Sequence, residues 1–267
     1  MTGPSERKVA APARAIPRLP SFLRWLPTQF GFLSGLRIGL IDTLRRVIDP
    51  AAYLSYANAG EDLVLTRMFQ GLPGHYVDVG CNHAQRHSNT FRLYKHGWRG
   101  ITIDALATLI DEHRGLRIRD IQVTAAVSTV EGVQRFVVFT DDDSIGTLAQ
   151  SRASYTDWRT DAREIEVSAR TLTSILDQHA MVAEFDLLSV DVEGHDLAVL
   201  EALDFARYRP RVIVIEILGV GSDVLTVVEQ PVHRFLVAQG YSLVGYVLHN
   251  AYYADSRSSR LDELYFG

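Results

Sequence analysis

The stretch Tyr76-Val-Asp-Val-Gly-Cys-Asn82 sets the reading of the whole chain. It is a short, largely apolar and β-branched run that breaks at a glycine, as expected of a strand covered on both faces of a parallel sheet. A glycine at the C-terminal end of a first strand lets the backbone approach a ligand closely. Asp78 would sit beside that turn, where a carboxylate either meets the ammonium group of an amino-acid ligand or orders the loop.

Outward from this stretch, Gly100-Ile-Thr-Ile-Asp104 reads as the second strand. An acidic residue at its end is placed to accept both hydroxyls of a ribose, as dinucleotide folds do roughly 20 residues after their glycine loop. The third strand is expected over Ile118–Ala125. There Thr124-Ala-Ala-Val-Ser128 supplies small residues, Ala126 among them, that admit an adenine ring. Asp78 and Asp104 each also have a plain reading as strand-end turn residues. The three features in order, at successive strand ends, point to a nucleoside. A pyrophosphate ligand wants G-x-G-x-x-G leading into a helix N-terminus. With only one of those glycines, the pattern favours S-adenosylmethionine, which has no phosphates, over NAD or FAD.

Two further strands are expected at Phe185–Val190 and Arg211–Ile217, with helical stretches around Asn89–His96, Thr108–Arg114, Thr173–His179 and Leu197–Leu203. Upstream, a helix from Glu61 to Phe69 is ended by Gly71-Leu-Pro-Gly74. Val133–Phe139 reads as an extra antiparallel strand. The chain closes with a helix over Val227–Gln239, a strand over Tyr241–Leu248 and a final strand near Leu264–Phe266. The expected fold is α/β: a Rossmann-like, mostly parallel seven-stranded sheet with an antiparallel C-terminal hairpin and helices on both faces. That is the class I methyltransferase order, whereas a plain dinucleotide fold ends in parallel strands.

Residues 1–20, rich in Pro, Ala and Arg without periodicity, are expected to be disordered. Residues 21–54 read as a helical cap or arm broken by Pro27, Gly31 and Gly35, and residues 55–267 as the main domain. Arg24, Arg37, Arg45 and Arg46 stand among the apolar residues of 22–48. That mixture suits either a peripheral contact with a membrane surface or packing as a cap or homodimer arm. With 47% hydrophobic and 22% charged residues, 267 residues suffice for one sizeable α/β domain. A net charge of −5 argues against broad nucleic-acid binding, which needs a basic face. No apolar run is long enough to span a bilayer, and the lone Cys81 points to a reducing, cytoplasmic setting.

Beyond these readings, Tyr76-Val-Asp-Val-Gly-Cys-Asn-His83, Ser88-Asn-Thr90 and Gly97-Trp-Arg-Gly-Ile101 resemble the FkbM family of methyltransferases. So does Asp186-Leu-Leu-Ser-Val-Asp-Val-Glu-Gly-His-Asp196 followed by Val199-Leu200. Ser55-Tyr-Ala-Asn-Ala-Gly-Glu-Asp62 is similar to the family's Gly-Glu-Asp lead-in, with Asn58 where a glutamine is commoner. The resemblance starts near Ser55. It implies O-methylation of a saccharide or glycoside hydroxyl, with Asp78, Gly80, Asn82 and Asp104 binding S-adenosylmethionine and Asp191 facing the methyl donor.

A sugar hydroxyl is a poor nucleophile at neutral pH, so a base or a metal is expected beside it. His195 suits the base by its intrinsic pKa, or else packs on the following helix; with Asp191 it forms the candidate catalytic pair. Glu193 reads as a helix N-terminal carboxylate or an acceptor ligand. Asp191 and Glu216, ending neighbouring strands, could hold Mg2+, or Glu216 could bind acceptor hydroxyls directly. His83, just past the glycine turn, could reach cofactor or acceptor. His249 belongs to the last hairpin loop, where it meets the acceptor or simply solvent. A methyltransferase acting on a non-sugar acceptor and a non-catalytic Rossmann-like binding subunit are the competing readings.

Overall fold

The chain divides into two units, Met1–Ala51 and Ala52–Gly267. The computed structural model describes residues 30, 32–49, 51, 53–139, 146–148, 162–218, 220 and 223–257. The expectations of disorder over 1–20 and of a strand near Leu264–Phe266 therefore fall outside the described residues.

In the first unit, Phe32–Ile48 forms one helix, α1. It runs through Gly35 and Gly39 without a break, which corrects the expectation of broken helices there. A glycine inside a helix costs about 1 kcal/mol, and the run of helix-compatible leucines and arginines around both glycines outweighs that.

The second unit opens with α2 (Glu61–Met68), β1 (His75–Val79), α3 (Phe91–Lys95), β2 (Arg99–Asp104), α4 (Ala107–Leu116), β3 (Ile121–Thr124) and β4 (Ala126–Val127). It continues with β5 (Gly132–Phe139), β6 (Gly146–Leu148), β7 (Ala162–Arg170), α5 (Leu172–Gln178), β8 (Glu184–Val190) and α6 (Asp196–Glu201). It ends with β9 (Arg209–Glu216), a 3-10 turn (Val224–Glu229), α7 (Pro231–Ala238), β10 (Tyr241–Val247) and β11 (Asn250–Asp255).

Seven strands pair in the order β3-β2-β1-β8-β9-β11-β10. The pairs from β3 to β9 are parallel, and β11 runs antiparallel to both β9 and β10. The inner strands are apolar on both faces because helices cover both sides. Leu188 and Val190 of β8 and Ile213 and Ile215 of β9 are fully buried in one cluster with Leu172, Ile175 and Leu176 of α5, Val199 and Leu200 of α6 and Leu236 of α7, while Leu187, Val212 and Val214 are buried outside that cluster. Each such side chain contributes about 1.5–3 kcal/mol on burial. The chain leaves β1 toward β2 and β3, then returns on the other side through β8 and β9. The order thus reverses between β1 and β8, where open α/β sheets place a ligand crevice at the carboxyl ends of their strands.

Several elements differ from the sequence expectation. Val133–Phe139 is antiparallel as expected, but it pairs with β6 and β7 outside the main sheet, in a second sheet of order β4-β7-β5-β6. The third strand is shorter than Ile118–Ala125, because Arg117 and Asp120 are buried in a turn that precedes it. The helix over Val227–Gln239 splits in two at Gln230, which is extended ahead of Pro231. Proline has no N–H to continue the ladder and disfavours helical backbone in the residue before it. The partner of β10 is β11, reached through the tight Leu248-His249 turn, in which Leu248 takes a φ of 56°.

Candidate active site

The first turn after β1 fixes the centre of the site. Gly80 has a φ of 74°, and its N–H and that of Cys81 both donate to the carbonyl of Ile103 on β2. On the other flank the Asp191 N–H donates to the carbonyl of Val79 (3.0 Å). The glycine is required by this crossing of Asp191 over the turn, not only by a ligand.

Between the strand ends lies a cavity of about 260 Å³. One side is small and apolar: Ala105, Leu106, Ala125, Ala126, Phe136 and Leu148 line it. The other side is polar, with Asn58, His87, Asn89, Asp191, Glu193 and His195. Asp78, Gly80, Cys81, Asn82 and Asp104 lie on the wall as well. Phe136 and Leu148 come from the second sheet, packed with Leu106 and Ala126.

Asp104 ends β2. Its Oδ1 accepts from the Leu106 N–H (2.9 Å) and its Oδ2 from the Asn82 N–H (3.2 Å). Each oxygen keeps a lone pair for a further donor. Burial pushes this carboxyl up to about 6, opposed by those two backbone N–H bonds. Asn82 itself is left-handed, with a φ of 50°. Its carbonyl meets Nε2 of the buried His113 of α4 (2.9 Å). Burial lowers His113 to about 3, so its ring is neutral and Nε2–H donates.

Asp78 is buried and accepts from the Thr90 hydroxyl (2.5 Å). Burial raises its pKa against the pull of the Arg117 guanidinium. One oxygen is therefore committed to the loop, matching the loop-ordering alternative. Burial pushes the Cys81 thiol up, so it stays a thiol and a poor nucleophile.

Carboxylates crowd the other side. Asp191 and Glu216 end β8 and β9, one step past the Val190–Ile215 pair. Both are raised, first by burial. Asp191 is then raised by Asp196, Glu61 and Asp78, and Glu216 by Asp191, Glu193, Asp196 and Glu61. Glu216 shifts furthest, and its Oε2 is buried with no hydrogen-bond partner among the described residues. Of the two, Glu216 is pushed further toward its protonated form. Glu61 is buried at the start of α2, where it accepts from Asn250 Nδ2 (2.7 Å) and the Ala59 N–H (2.9 Å).

The turn from Asp191 to His195 is held by Asp196, whose carboxylate accepts from the N–H groups of Val192 (3.1 Å) and Gly194 (3.0 Å). This corrects the expectation for Glu193: the carboxylate at the helix start is Asp196, and Glu193 sits at a φ of 55° on the cavity wall. His195 is buried at the N-cap of α6, where its side chain makes no cap bond. Burial lowers its pKa, so the ring is neutral at pH 7 and able to take a proton.

The structure thus brings Asp78, Gly80, Asn82, Asp104, Ala126, Asp191, Glu193 and His195 to one cavity. It does not bring His83, whose ring lies between Glu112 (3.0 Å) and Arg86 (2.7 Å), off the cavity lining. His249 is exposed in the β10–β11 turn, its carbonyl accepting from the Ile217 N–H (2.7 Å), and is also off the lining. Glu216 stands beside Asp191 without lining the cavity. The magnesium expectation finds no support: among the described residues no group of three His, Cys, Asp or Glu side chains is arranged to hold an ion.

His87 and Phe136 line the cavity without a sequence signal. For His87 the trace is its left-handed backbone, φ 56°, which only coordinates reveal. Asn58 lies within Ser55–Asp62 and Asn89 within Ser88–Thr90, but nothing in their spacing marks them as wall residues.

The Methyltransferase FkbM domain model matches residues 78–243 of the chain. The crystal structure of monomeric WbdD is similar at 18% identity and a TM-score of 0.38, with 78% of this chain and 43% of that chain covered. The chain therefore spans less than half the length of that protein. No curated protein matches the chain.

Proposed function

We propose, from the premise that this chain belongs to the FkbM methyltransferase family, that it transfers a methyl group from S-adenosylmethionine to a hydroxyl of a saccharide or glycoside. The observation that carries this reading is the division of the one cavity into two sides. A small-residue apolar side with a ribose-competent carboxylate, Asp104, adjoins a polar side that holds Asp191 and the neutral imidazole of His195. The first side suits a nucleoside and the second suits hydroxyl groups.

When bound, S-adenosylmethionine supplies an activated methyl carbon and leaves as S-adenosylhomocysteine, so the protein has mainly to align the accepting oxygen and handle its proton. In this reading Asp104 accepts the ribose hydroxyls through the lone pairs its two backbone N–H bonds leave. Ala105, Ala126, Leu106 and Phe136 exclude water from the adenine. Asp191, rigid against the Gly80 turn, orients the acceptor hydroxyl. His195 takes its proton, and Asp196 keeps the 191–195 turn in place. Asn58, His87 and Asn89 offer donors and acceptors suited to further hydroxyls of a sugar.

Calorimetric titration with S-adenosylhomocysteine tests the cofactor half. Micromolar binding, with no binding of NAD, supports it, and absence of S-adenosylhomocysteine binding overturns it. The acceptor half is tested by turnover of S-adenosylmethionine against glycosides and against phenols and amines. Methyl transfer to phenols or amines alone overturns the saccharide reading.

A further inference from the structure

Arg117 lies just past α4, wholly buried, and no step above uses it. Its Nε donates to the Ala84 carbonyl (2.9 Å), one terminal nitrogen to the Thr90 hydroxyl (2.8 Å) and the other to the Ser88 hydroxyl (2.5 Å). The guanidinium also faces the rings of Phe91 (5.5 Å) and Tyr94 (5.9 Å). Its counter-charges are Asp78, reached through the Thr90 hydroxyl, and Asp120 at 3.8 Å. Three acceptors in one loop, in three directions, match the planar fork of a guanidinium, whose donors are spread over three nitrogens; an ammonium gathers its three donors on one nitrogen and lacks that spread. The same loop carries His87 and Asn89 on the cavity wall.

We infer that Arg117 is a positioning residue for the cofactor: its one guanidinium fastens residues 84–90 to the end of α4, the Thr90–Asp78 bond extends that tie to β1, and together they hold the loop wall of the cavity in its binding shape. The inference rests on the reading of this cavity as the S-adenosylmethionine site. A buried cation with no role beyond stability would set the melting temperature and leave ligand affinity untouched. A preorganising one lowers the ordering cost that binding would otherwise carry, so its loss shows in affinity.

The test compares the wild type, Arg117→Lys and Leu236→Ala, a core variant in α7 chosen to lose stability away from the loop. S-adenosylhomocysteine affinity is measured by calorimetry, below the melting temperature of each. Arg117→Lys keeps the charge opposite Asp78 and Asp120 but loses the fork. It is expected to bind about tenfold more weakly, with KM for S-adenosylmethionine raised more than kcat is lowered. Amide exchange over 82–89 is expected to be faster in Arg117→Lys and unchanged in Leu236→Ala. Affinity within twofold of wild type in Arg117→Lys, or an equal loss in Leu236→Ala, overturns the inference. Should Arg117→Lys not fold, Ser88→Ala carries the test, with about threefold weaker binding expected and unchanged binding overturning it. Failure of the wild type itself to bind strikes the cofactor reading instead.

Discussion

A Cβ on Gly80 would lie 1.7 Å from the carbonyl oxygen of Asp191 and 2.7 Å from its carbonyl carbon. The turn after β1 and the residue just past β8 are therefore one close crossing of backbone. In the proposed reading this close crossing would hold the donor and acceptor sides of the site in fixed register.

Gly80→Ala forces both a left-handed alanine and a backbone overlap that no side-chain rotation relieves. The expected cost exceeds about 2 kcal/mol, read as a melting temperature lower by about 5 °C or more, together with lost S-adenosylhomocysteine binding. A variant that melts like the wild type contradicts the crossing.

Asp104→Ala removes two hydrogen bonds to a charged group, at about 1.5 kcal/mol each, so affinity for S-adenosylhomocysteine is expected to fall about 100-fold. The carboxyl titrates near 6 in the protein, and its ionised form is the better acceptor. Wild-type affinity should therefore weaken as pH falls through about 6, and the variant should lack that component. Calorimetry at pH 5 and pH 8 reads both effects, and equal affinity in wild type and variant removes Asp104 from the site.

His195→Ala and Asp191→Ala are expected to keep S-adenosylhomocysteine affinity within a few-fold while kcat falls by about 100-fold or more. Burial raises Asp191 and lowers His195, so wild-type rate should climb with pH as both reach their unprotonated forms. A variant with full kcat, or a rate that declines between pH 6 and pH 8, refutes the acid–base assignment.

Glu216→Gln probes the carboxylate pair. The folded pKa of Glu216 lies far above its unfolded value, so the folded state holds a proton that the unfolded chain has released. Stability of the wild type therefore falls as pH rises above the ordinary carboxylate range. Glutamine mimics the protonated acid and removes this slope. The variant should match the wild type within about 0.5 kcal/mol near pH 5 and be the more stable protein at pH 8. Urea unfolding at the two pH values decides, and a variant less stable at both shows that Glu216 is ionised in the fold.

Much of the sheet was legible because parallel strands are buried on both faces and so read as apolar runs. His75–Val79 matches β1 residue for residue, and Gly100–Asp104 and Phe185–Val190 fall one residue short of β2 and β8. Asp104, Asp191 and Glu216 were legible for a related reason: a charged residue that ends such a run sits at the carboxyl edge of the sheet, where the crevice opens. The second sheet was less so. β5 is open over its first half and buried over its second, β7 carries its exposed residues mainly on one face, and their partners β4 and β6 are two and three residues long, too short for a periodicity to register.

The sequence alone marked the strand ends as candidates for chemistry, since two-sided burial favours apolar residues along the inner strands and charges at their ends. Tertiary structure alone decided which side chains share the cavity. His83 and His87 lie four positions apart in one loop, yet the first turns to Glu112 and Arg86 while the second lines the wall. That outcome depends on Arg117, His113 and Asp104 pinning the loop from distant parts of the chain. Such long-range hydrogen bonds leave no periodicity in the sequence, because their partners are chosen by the packing of the finished sheet.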